Sequence, residues 1–232
     1  MDGLGDAVGA PQGHAVEKFG AALLILAGST ILMAIVTGEA LFPAAYTTQQ
    51  NTISDLGSTW QPGGVVREPS ASIFNTAMVV TGLMIVAAAA ACWRAYRSRS
   101  VAIALLLLGA GMLGVGIVPG TEIGGHPSSA GLHPPLSMLT FIAGGLCGLL
   151  GYRVTTAPFR YVSLTLGLVT LGSLVLSGPL AAGDLGAGGV ERWVVYPVVL
   201  WVVAFGGYLL GVGASVRAKT AGQRPTRQRD AR

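Results

Sequence analysis

The sequence predicts an all-α polytopic membrane protein, a bundle of six transmembrane helices with both termini in the cytoplasm. Of its 232 residues, 52% are hydrophobic and 10% are charged, and the mean hydropathy is +0.64. Soluble domains carry about 25% charged residues. Six apolar windows are each long enough for a helix that crosses a hydrocarbon core of about 30 Å. Basic residues are concentrated in the segments on one side of the predicted membrane, and this asymmetry gives the orientation.

The spans form one domain, predicted at 19–213, between a short tail at 1–18 and a basic, disordered tail at 214–232. Backbone amides in hydrocarbon must be satisfied within the protein, and barrel strands are about 10 residues long with alternating polarity. These runs are much longer and apolar on every side. Helices are therefore expected at 19–41, 70–92, 101–118, 133–152, 160–180 and 193–213.

The connections between the spans alternate in character. The short loops WRAYRSRS (93–100) and RVTTAPFR (153–160) make the second helix a neighbour of the third, and the fourth a neighbour of the fifth. Longer segments that contain proline and glycine lie on the opposite side, where they interrupt any continuous helix. These are residues 42–69, 119–132 and 181–191.

The basic residues fix the orientation. With the N-terminus in the cytoplasm, every Lys and Arg falls inside except Arg67 and Arg192. The net charge of +4 and the pI near 9.4 follow from this topology and from the basic tail, so they do not imply nucleic acid. The expected location is the cell membrane, and the expected partners are membrane lipids and an unidentified membrane protein.

Acidic and histidine side chains are concentrated in the segments predicted on the outer side of the membrane. In one interpretation they are solvated, because loops are normally polar. In the other, the loops of three hairpins meet over the bundle and form a polar pocket. The residues concerned are Glu39, Asp55, Glu68, Glu122, Asp184, Glu191, His126 and His133.

The polar stretch NTISDLGST (51–59) stands out between two apolar runs. Short side chains such as Asp55, followed by glycine, form helix caps and tight turns, which is the structural interpretation. A ligand role is the alternative, because an ionisable group within a span costs about 2.5–3.5 kcal/mol and faces protein or a water-filled cavity. Glu39, Asp55 and Asn75 are expected to share such a cavity, with Asn51 beside them.

Two acid–arginine neighbours stand at predicted helix starts. Glu68 precedes the second helix, and Glu191 begins the sixth. Acids at these positions stabilise the positive end of the helix dipole by about 0.3–1 kcal/mol, which explains both without a ligand. The adjacent Arg67 and Arg192 are expected either to pair with an acid or to hold a lipid phosphate.

A metal site is the alternative for the outer side chains. His126 and His133, with Glu122 and Asp55, are ligand types that suit zinc. However, no HExxH helix, phosphate loop or nucleophile elbow is present. No metal and no cofactor is therefore predicted, and whether the protein is an enzyme stays open.

Five blocks in chain order resemble a prokaryotic multi-pass family, domain of unknown function 998, over roughly residues 15–215. They are NTISDLGST, EPSASIFNTAMVVTGL, GAGMLGVGIVPG, LHPPLSMLTFIAGGL and GGVERWVVYPVVLWVVAFGGYLL. More distantly, the chain resembles the DRAM-type six-helix membrane proteins. That resemblance implies six helices, cytoplasmic termini and contact with lipid. It matches motif positions to Asp55, Asn75, His133, Glu191, Arg192 and, less closely, His126.

The predicted function is recognition or handling of a lipid or other amphiphile at the outer leaflet. Asp55, His133 and Arg192 are expected to contact its head group, while apolar walls take its tail. Two alternatives stay open. One is a metal-assisted membrane hydrolase or transferase acting on lipid. The other is a structural or partner-binding membrane component, in which the loops are only helix caps and solvated segments.

Overall fold

A computed structural model describes residues 10–42, 46–59, 66–95, 99–120, 122–123, 126–127 and 131–222. The described chain is helical apart from one small antiparallel ladder, in which β1 (Glu122–Ile123) pairs with β2 (His126–Pro127). The predicted all-α class is therefore confirmed. The helices are α1 (Ala10–Ala40), α2 (Ser70–Ala95), α3 (Arg99–Ile117), α4 (His133–Val154), α5 (Phe159–Val175), α6 (Ser177–Ala182) and α7 (Gly186–Gly222).

The first and last helices are longer than the sequence suggested. α1 begins at Ala10 and α7 continues to Gly222, so residues 10–18 and 214–222 of the expected tails are helical. α7 also begins at Gly186, and the stretch GAGGVE at 186–191, which was expected to be loop, forms its first turns.

Six helices close into a ring in the order α1, α2, α3, α4, α5 and α7, and α7 packs back on α1. α4 also contacts α7 across the ring, and the short α6 packs on α7. The neighbours expected from the short loops, α2 with α3 and α4 with α5, do pack together. One end of the bundle contains the last residues of α1, α3 and α5 and the first residues of α2, α4 and α7. We call it the polar end.

The outward faces of the helices are apolar. Met33, Ile117 and Val175 are 60%, 68% and 81% exposed, as expected where side chains face lipid. Five helices are long and apolar enough to cross a membrane, at Ala15–Ala40, Ser70–Trp93, Arg99–Ile117, His133–Val154 and Gly186–Gly211. α5 is apolar but shorter, with 17 residues. The chain is therefore a multi-pass membrane protein.

Small residues and internal hydrogen bonds hold the middle of the bundle. α4 and α5 approach so closely at Gly148 that an added Cβ would lie 2.6 Å from the Cα of Gly167. Trp201, which is buried, donates from Nε1 to the hydroxyl of Ser163 at 2.6 Å. That hydroxyl donates in turn to the Gly148 carbonyl at 2.8 Å. Close backbone approach and interhelical hydrogen bonds are the usual means of helix association in lipid.

Candidate functional site

A loop at residues 46–59 crosses the polar end and contains a short 3₁₀ helix, Ser54–Gly57. The predicted tight turn in ISDLG is confirmed. The Asp55 carboxylate accepts hydrogen bonds from the backbone N–H of Thr52 at 2.9 Å and from the Asn51 amide at 3.3 Å. The Asp55 backbone N–H donates to the Thr52 hydroxyl at 3.2 Å. Asp55 and Asn51 thus shape the loop itself, as short polar side chains do in turns.

The same loop is fastened to the start of α2. Leu56 is fully buried, and its carbonyl accepts a hydrogen bond from the Ser70 hydroxyl at 3.1 Å. The Asn75 amide donates to the Gly57 carbonyl at 2.9 Å. Asn75 therefore holds the end of the 3₁₀ helix in place.

Arg192 connects the loop to α7. Its side chain is only 9% exposed. Nη1 lies within donating distance of the carbonyl oxygens of Thr48 and Asn51, both at 2.9 Å, and of Gly188 at 2.8 Å. A guanidinium presents donors in a fixed planar arrangement, which suits it to binding several carbonyls of one loop.

The other side of the guanidinium pairs with α1. Nη2 of Arg192 donates to the Glu39 carboxylate at 2.5 Å and to the Tyr46 hydroxyl at 2.7 Å. That hydroxyl donates to the Thr52 carbonyl at 3.0 Å. Burial raises the pKa of Tyr46 to about 12, against the opposing effect of the Arg192 charge, so the phenol stays neutral and can donate at physiological pH.

Glycine allows the first turn of α7 to approach the loop. The backbone N–H of Gly188 donates to the Gln49 carbonyl at 2.9 Å. A Cβ at Gly188 would overlap the carbonyl oxygens of Asn51 and Thr48. Gly186 has a φ of +65°, in the left-handed region that favours glycine. The glycines that suggested a loop are thus required by this contact.

Glu68 and Glu191 differ, although both were expected to stabilise a helix start. Glu68 does so, because its carboxylate accepts from the backbone N–H of Ser72 at 3.2 Å and from its hydroxyl at 2.8 Å. For Glu191 the expectation is wrong, because α7 begins at Gly186 and has no acidic residue in its first turn. Glu191 lies inside the helix.

Glu191 is held by the loop. Its carboxylate accepts from the Ser54 hydroxyl at 3.0 Å and from the backbone N–H of Ile53. It is partly buried. Within the described residues no Lys, Arg or His side chain forms an ion pair with it, since the neighbouring Arg192 pairs with Glu39. Glu191 is therefore an acid inside an apolar helix bundle that forms no ion pair with any residue the structure describes.

Two spaces meet at Glu191. A central cavity of about 60 Å³ lies between α1, α2, α3, α4 and α7. A lateral cleft of about 410 Å³ lies between α4 and the α5–α6–α7 side, and Glu191 and Phe141 line both spaces. The other walls are mainly apolar. Ser137 in the central cavity has a buried hydroxyl with no hydrogen-bond partner among the described residues. The cleft has the size of small-molecule sites, which is about 300–1,000 Å³.

Arg192 lines a different space. A groove of about 660 Å³ runs between α5 and α7, with Asp184 and Gln49 among its polar residues and Leu166 and Trp193 among its apolar ones. Nε of Arg192 is buried and has no hydrogen-bond partner. The other guanidinium nitrogens are engaged by the loop and by Glu39, so most of the donor capacity of Arg192 is used within the protein.

The structure does not bring the three predicted head-group residues together. Neither Asp55 nor His133 lines the cavity, the cleft or the groove, and Arg192 lines only the groove. Nδ1 of His133 donates to the Val118 carbonyl at 2.8 Å, which ties the start of α4 to the end of α3. Asp55 and Arg192 thus both contact the loop at Asn51, whereas His133 contacts the end of α3.

The metal hypothesis falls partly on side chains that the structure does not describe, those of Glu122 and His126. In the part of the chain that is described, no three His, Cys, Asp or Glu side chains form a group that could hold a metal ion. Asp55 and His133 are engaged in the separate hydrogen bonds given above. The four-residue set stays an alternative to the prediction that no metal binds.

Sequence reasoning missed Ser137 and Phe141, which line the spaces beside Glu191. A signal was present in α4, where His133, Ser137 and Thr140 recur at the spacing of one helix face. Ser137 and Thr140 both line the central cavity. A polar stripe on a helix that is otherwise apolar indicates a face turned toward protein or an enclosed space.

Comparison with known proteins identifies a family. The family model described as "Protein of unknown function (DUF998)" matches residues 10–208, which is most of the chain. Neither a curated protein nor a solved structure matches.

Proposed function

The chain belongs to the DUF998 family of proteins of unknown function, and we propose that it is a six-span membrane protein that binds an amphiphile in the lateral cleft. The polar group of the amphiphile lies at Glu191, and its apolar chain lies along the cleft toward the lipid. The proposal keeps the class of ligand expected from the sequence. Of the residues that the resemblance matched to motif positions, it places Glu191 at the polar group, instead of Asp55, His133 and Arg192.

The observation that carries the proposal is the position of the Glu191 carboxylate. Glu191 lines both the lateral cleft and the central cavity, and its carboxylate is held by donors of Ile53 and Ser54 and, within the described residues, by no cation. An acid inside a span costs about 2.5–3.5 kcal/mol on insertion scales. The residue that carries this cost lines a space that can admit a ligand.

The walls of the cleft fit an apolar chain. Met138 of α4, Leu174 of α5 and Val194 of α7 line it, and Gly178 and Ala181 of α6 leave its edge open. A single alkyl chain packed against these side chains would bury apolar surface at about 25 cal/mol per Å². The central cavity behind Glu191, at about 60 Å³, has room only for a small group.

The ring of six helices supports the proposal of six spans. α5 has 17 residues, which at 1.5 Å per residue gives about 26 Å, close to the hydrocarbon thickness of about 30 Å. α6 follows α5 after one intervening residue and continues the chain toward α7. An even number of spans puts both termini on one side, and the distribution of Lys and Arg makes that side the cytoplasm.

A pair of glycine substitutions tests the site. Gly178 lines the cleft and Gly172 does not, and at both positions an added Cβ meets open space. Gly178→Phe should fill part of the cleft and lower labelling by a hexadecanol that carries a photoreactive diazirine, by about fivefold or more, whereas Gly172→Phe should not. The readout is the mass-spectrometric yield of labelled peptides in lipid nanodiscs.

The position of the label is a second criterion. In the unmodified protein it should map to the cleft walls around Met138 and Leu174. Labelling that is confined to the exposed helix faces, or that is equally strong in both variants, would contradict binding in the cleft.

A further inference from the structure

We propose that the polar group of the amphiphile is an ammonium group that binds the Glu191 carboxylate. This inference rests on the proposed function of the cleft and adds the chemical class of the ligand. The site is the junction of the cleft and the central cavity, where Glu191 and Phe141 line both spaces.

The charge balance of the polar end favours a cation. Glu39, Asp55 and Glu191 are carboxylates within one network of loop contacts, and Arg192 is the one guanidinium in that network, among the residues described. Arg192 pairs with Glu39. Asp55 and Glu191 accept hydrogen bonds only from uncharged donors there. When Asp55 and Glu191 are ionised, the network therefore has more carboxylates than cations among the described residues.

The hydrogen-bonding capacity of Glu191 points to the same ligand. A carboxylate offers about four acceptor positions. The Ile53 N–H and the Ser54 hydroxyl each bind one oxygen of Glu191, and the Ser54 backbone N–H also interacts with the carboxylate, so at least one position is left. A primary ammonium group brings several N–H donors and a positive charge. The Ser137 hydroxyl, which lines the same cavity and has no partner, can accept a further N–H bond.

Other head groups fit less well. A phosphate or carboxylate would place like charge beside Glu191 and Asp55, which is unfavourable at close range in a medium of low dielectric constant. A hydroxyl can donate one hydrogen bond to Glu191 but leaves its charge uncompensated. Charge-assisted hydrogen bonds between two ions are roughly twice as strong as neutral ones. Of the head groups compared, an ammonium group is thus the one that the site should bind most strongly.

The test is competition against the diazirine-bearing hexadecanol on the full chain in phosphatidylcholine nanodiscs at neutral pH. Hexadecylamine should displace the label at a concentration at least about tenfold lower than hexadecanol or palmitate. Two further competitors identify the source of the ammonium group. Lysophosphatidylethanolamine represents a lipid head group, and butylamine represents a small amine without a chain.

Two variants assign the preference to Glu191. Glu191→Gln keeps one oxygen that can accept from the Ile53 N–H, and its amide NH₂ can donate to the Ser54 hydroxyl, but it removes the charge. The amine should therefore lose its advantage while hexadecanol competes as before. Glu68→Gln removes an exposed acid at the same end of the bundle and should keep the advantage. Thermal unfolding of each variant shows that it is folded, and the comparison of competitors on the unmodified protein does not depend on any variant.

The outcomes separate the two proposals. Equal competition by amine and alcohol, with the label still in the cleft, overturns the ammonium proposal and leaves the amphiphile site intact. The absence of any label in the cleft overturns the proposed function itself. Loss of the amine preference in Glu68→Gln, or its retention in a folded Glu191→Gln, refutes the role of Glu191. Displacement by butylamine as strong as by hexadecylamine would show that the chain contributes nothing.

Discussion

At the scale of single residues, the polar side chains that the sequence singled out mostly hold the protein together. Arg192 is the centre of this arrangement, because one guanidinium binds α1 through Glu39 and the loop through backbone carbonyls. A charged pair in a bundle of apolar helices is stabilising only when its hydrogen bonds are nearly complete. The contacts of Arg192 meet that condition except at Nε.

A double-mutant cycle measures the coupling between Arg192 and Glu39. Arg192→Met should lower the free energy of unfolding by about 3–5 kcal/mol, because it leaves the Glu39 carboxylate without its cation. The double variant with Glu39→Gln should lose less than the sum of the single variants, by about 1–3 kcal/mol. Unfolding in detergent under increasing denaturant provides the measurement, and Arg67→Met is the control. Additive losses would mean that the ion pair does not couple the two helices.

The Glu39–Arg192 pair could not be predicted from either residue alone. Glu39 and Arg192 were both expected at the polar end, but they are 153 residues apart and nothing in the local sequence pairs them. The pairing depends on α7 returning to α1 across the closed ring. A ligand role for Arg192 was therefore a reasonable expectation from charge alone, and the structure shows why most of its donors are not available.

At the scale of elements, the start of α7 decides the shape of the site. Its glycine-rich first turns allow the loop to lie against the helix, with Gly188 donating to the Gln49 carbonyl. This contact places Ile53 and Ser54 next to the Glu191 carboxylate, which they hold at the junction of the cavity and the cleft. The loop and the helix start thus form one unit.

Two adjacent glycines provide a matched test of that unit. Gly188→Ala would force a Cβ against the carbonyl oxygens of Asn51 and Thr48, so it should lower the free energy of unfolding by roughly 1–3 kcal/mol, the usual cost of overpacking. At Gly189 the nearest atoms are those of Leu185 at 3.5 Å, an ordinary contact. Gly189→Ala should therefore be neutral or stabilise by up to about 1 kcal/mol through helix propensity.

Limited proteolysis of the loop at 46–59 complements this measurement of unfolding. Faster cleavage in Gly188→Ala than in Gly189→Ala would show that the loop has come away from α7. Equal cleavage rates and equal stabilities would contradict the close-approach role of Gly188.

The sequence predicted the elements that have a local pattern, such as a long apolar run or a turn motif. It did not predict the features that depend on contacts between distant segments. Long apolar windows predicted the helices of the ring, because a backbone that crosses hydrocarbon must satisfy its hydrogen bonds internally. The tight turn at ISDLG followed from short polar side chains and glycine. The start of α7 was placed too late, because glycine in GAGGVE is a poor helix former in isolation, and only the contact with a distant loop explains it. The cleft could not be predicted, since α4, α5, α6 and α7 build it jointly.

At the scale of the whole molecule, the ring places all three spaces near one end. The central cavity, the cleft and the groove each have a wall on α7, on successive faces of the same helix. The opposite end carries the short loops and the extensions of α1 and α7. A ligand from the membrane would therefore enter from the side, between α4 and the α5–α6–α7 arm, and would reach Glu191 without crossing the bundle.

Labelling of single cysteines tests the topology on which this arrangement depends. Asp184 lies between α6 and α7, Ala157 lies between α4 and α5, and both are exposed. The native Cys92 and Cys147 are buried and should react slowly. In intact cells a membrane-impermeant maleimide should label Asp184→Cys, and Ala157→Cys should react only after permeabilisation, because in the proposed topology α5 crosses the membrane between them. If both cysteines react from the same side, α5 does not span, the termini lie on opposite sides, and the lateral entry to the cleft is lost.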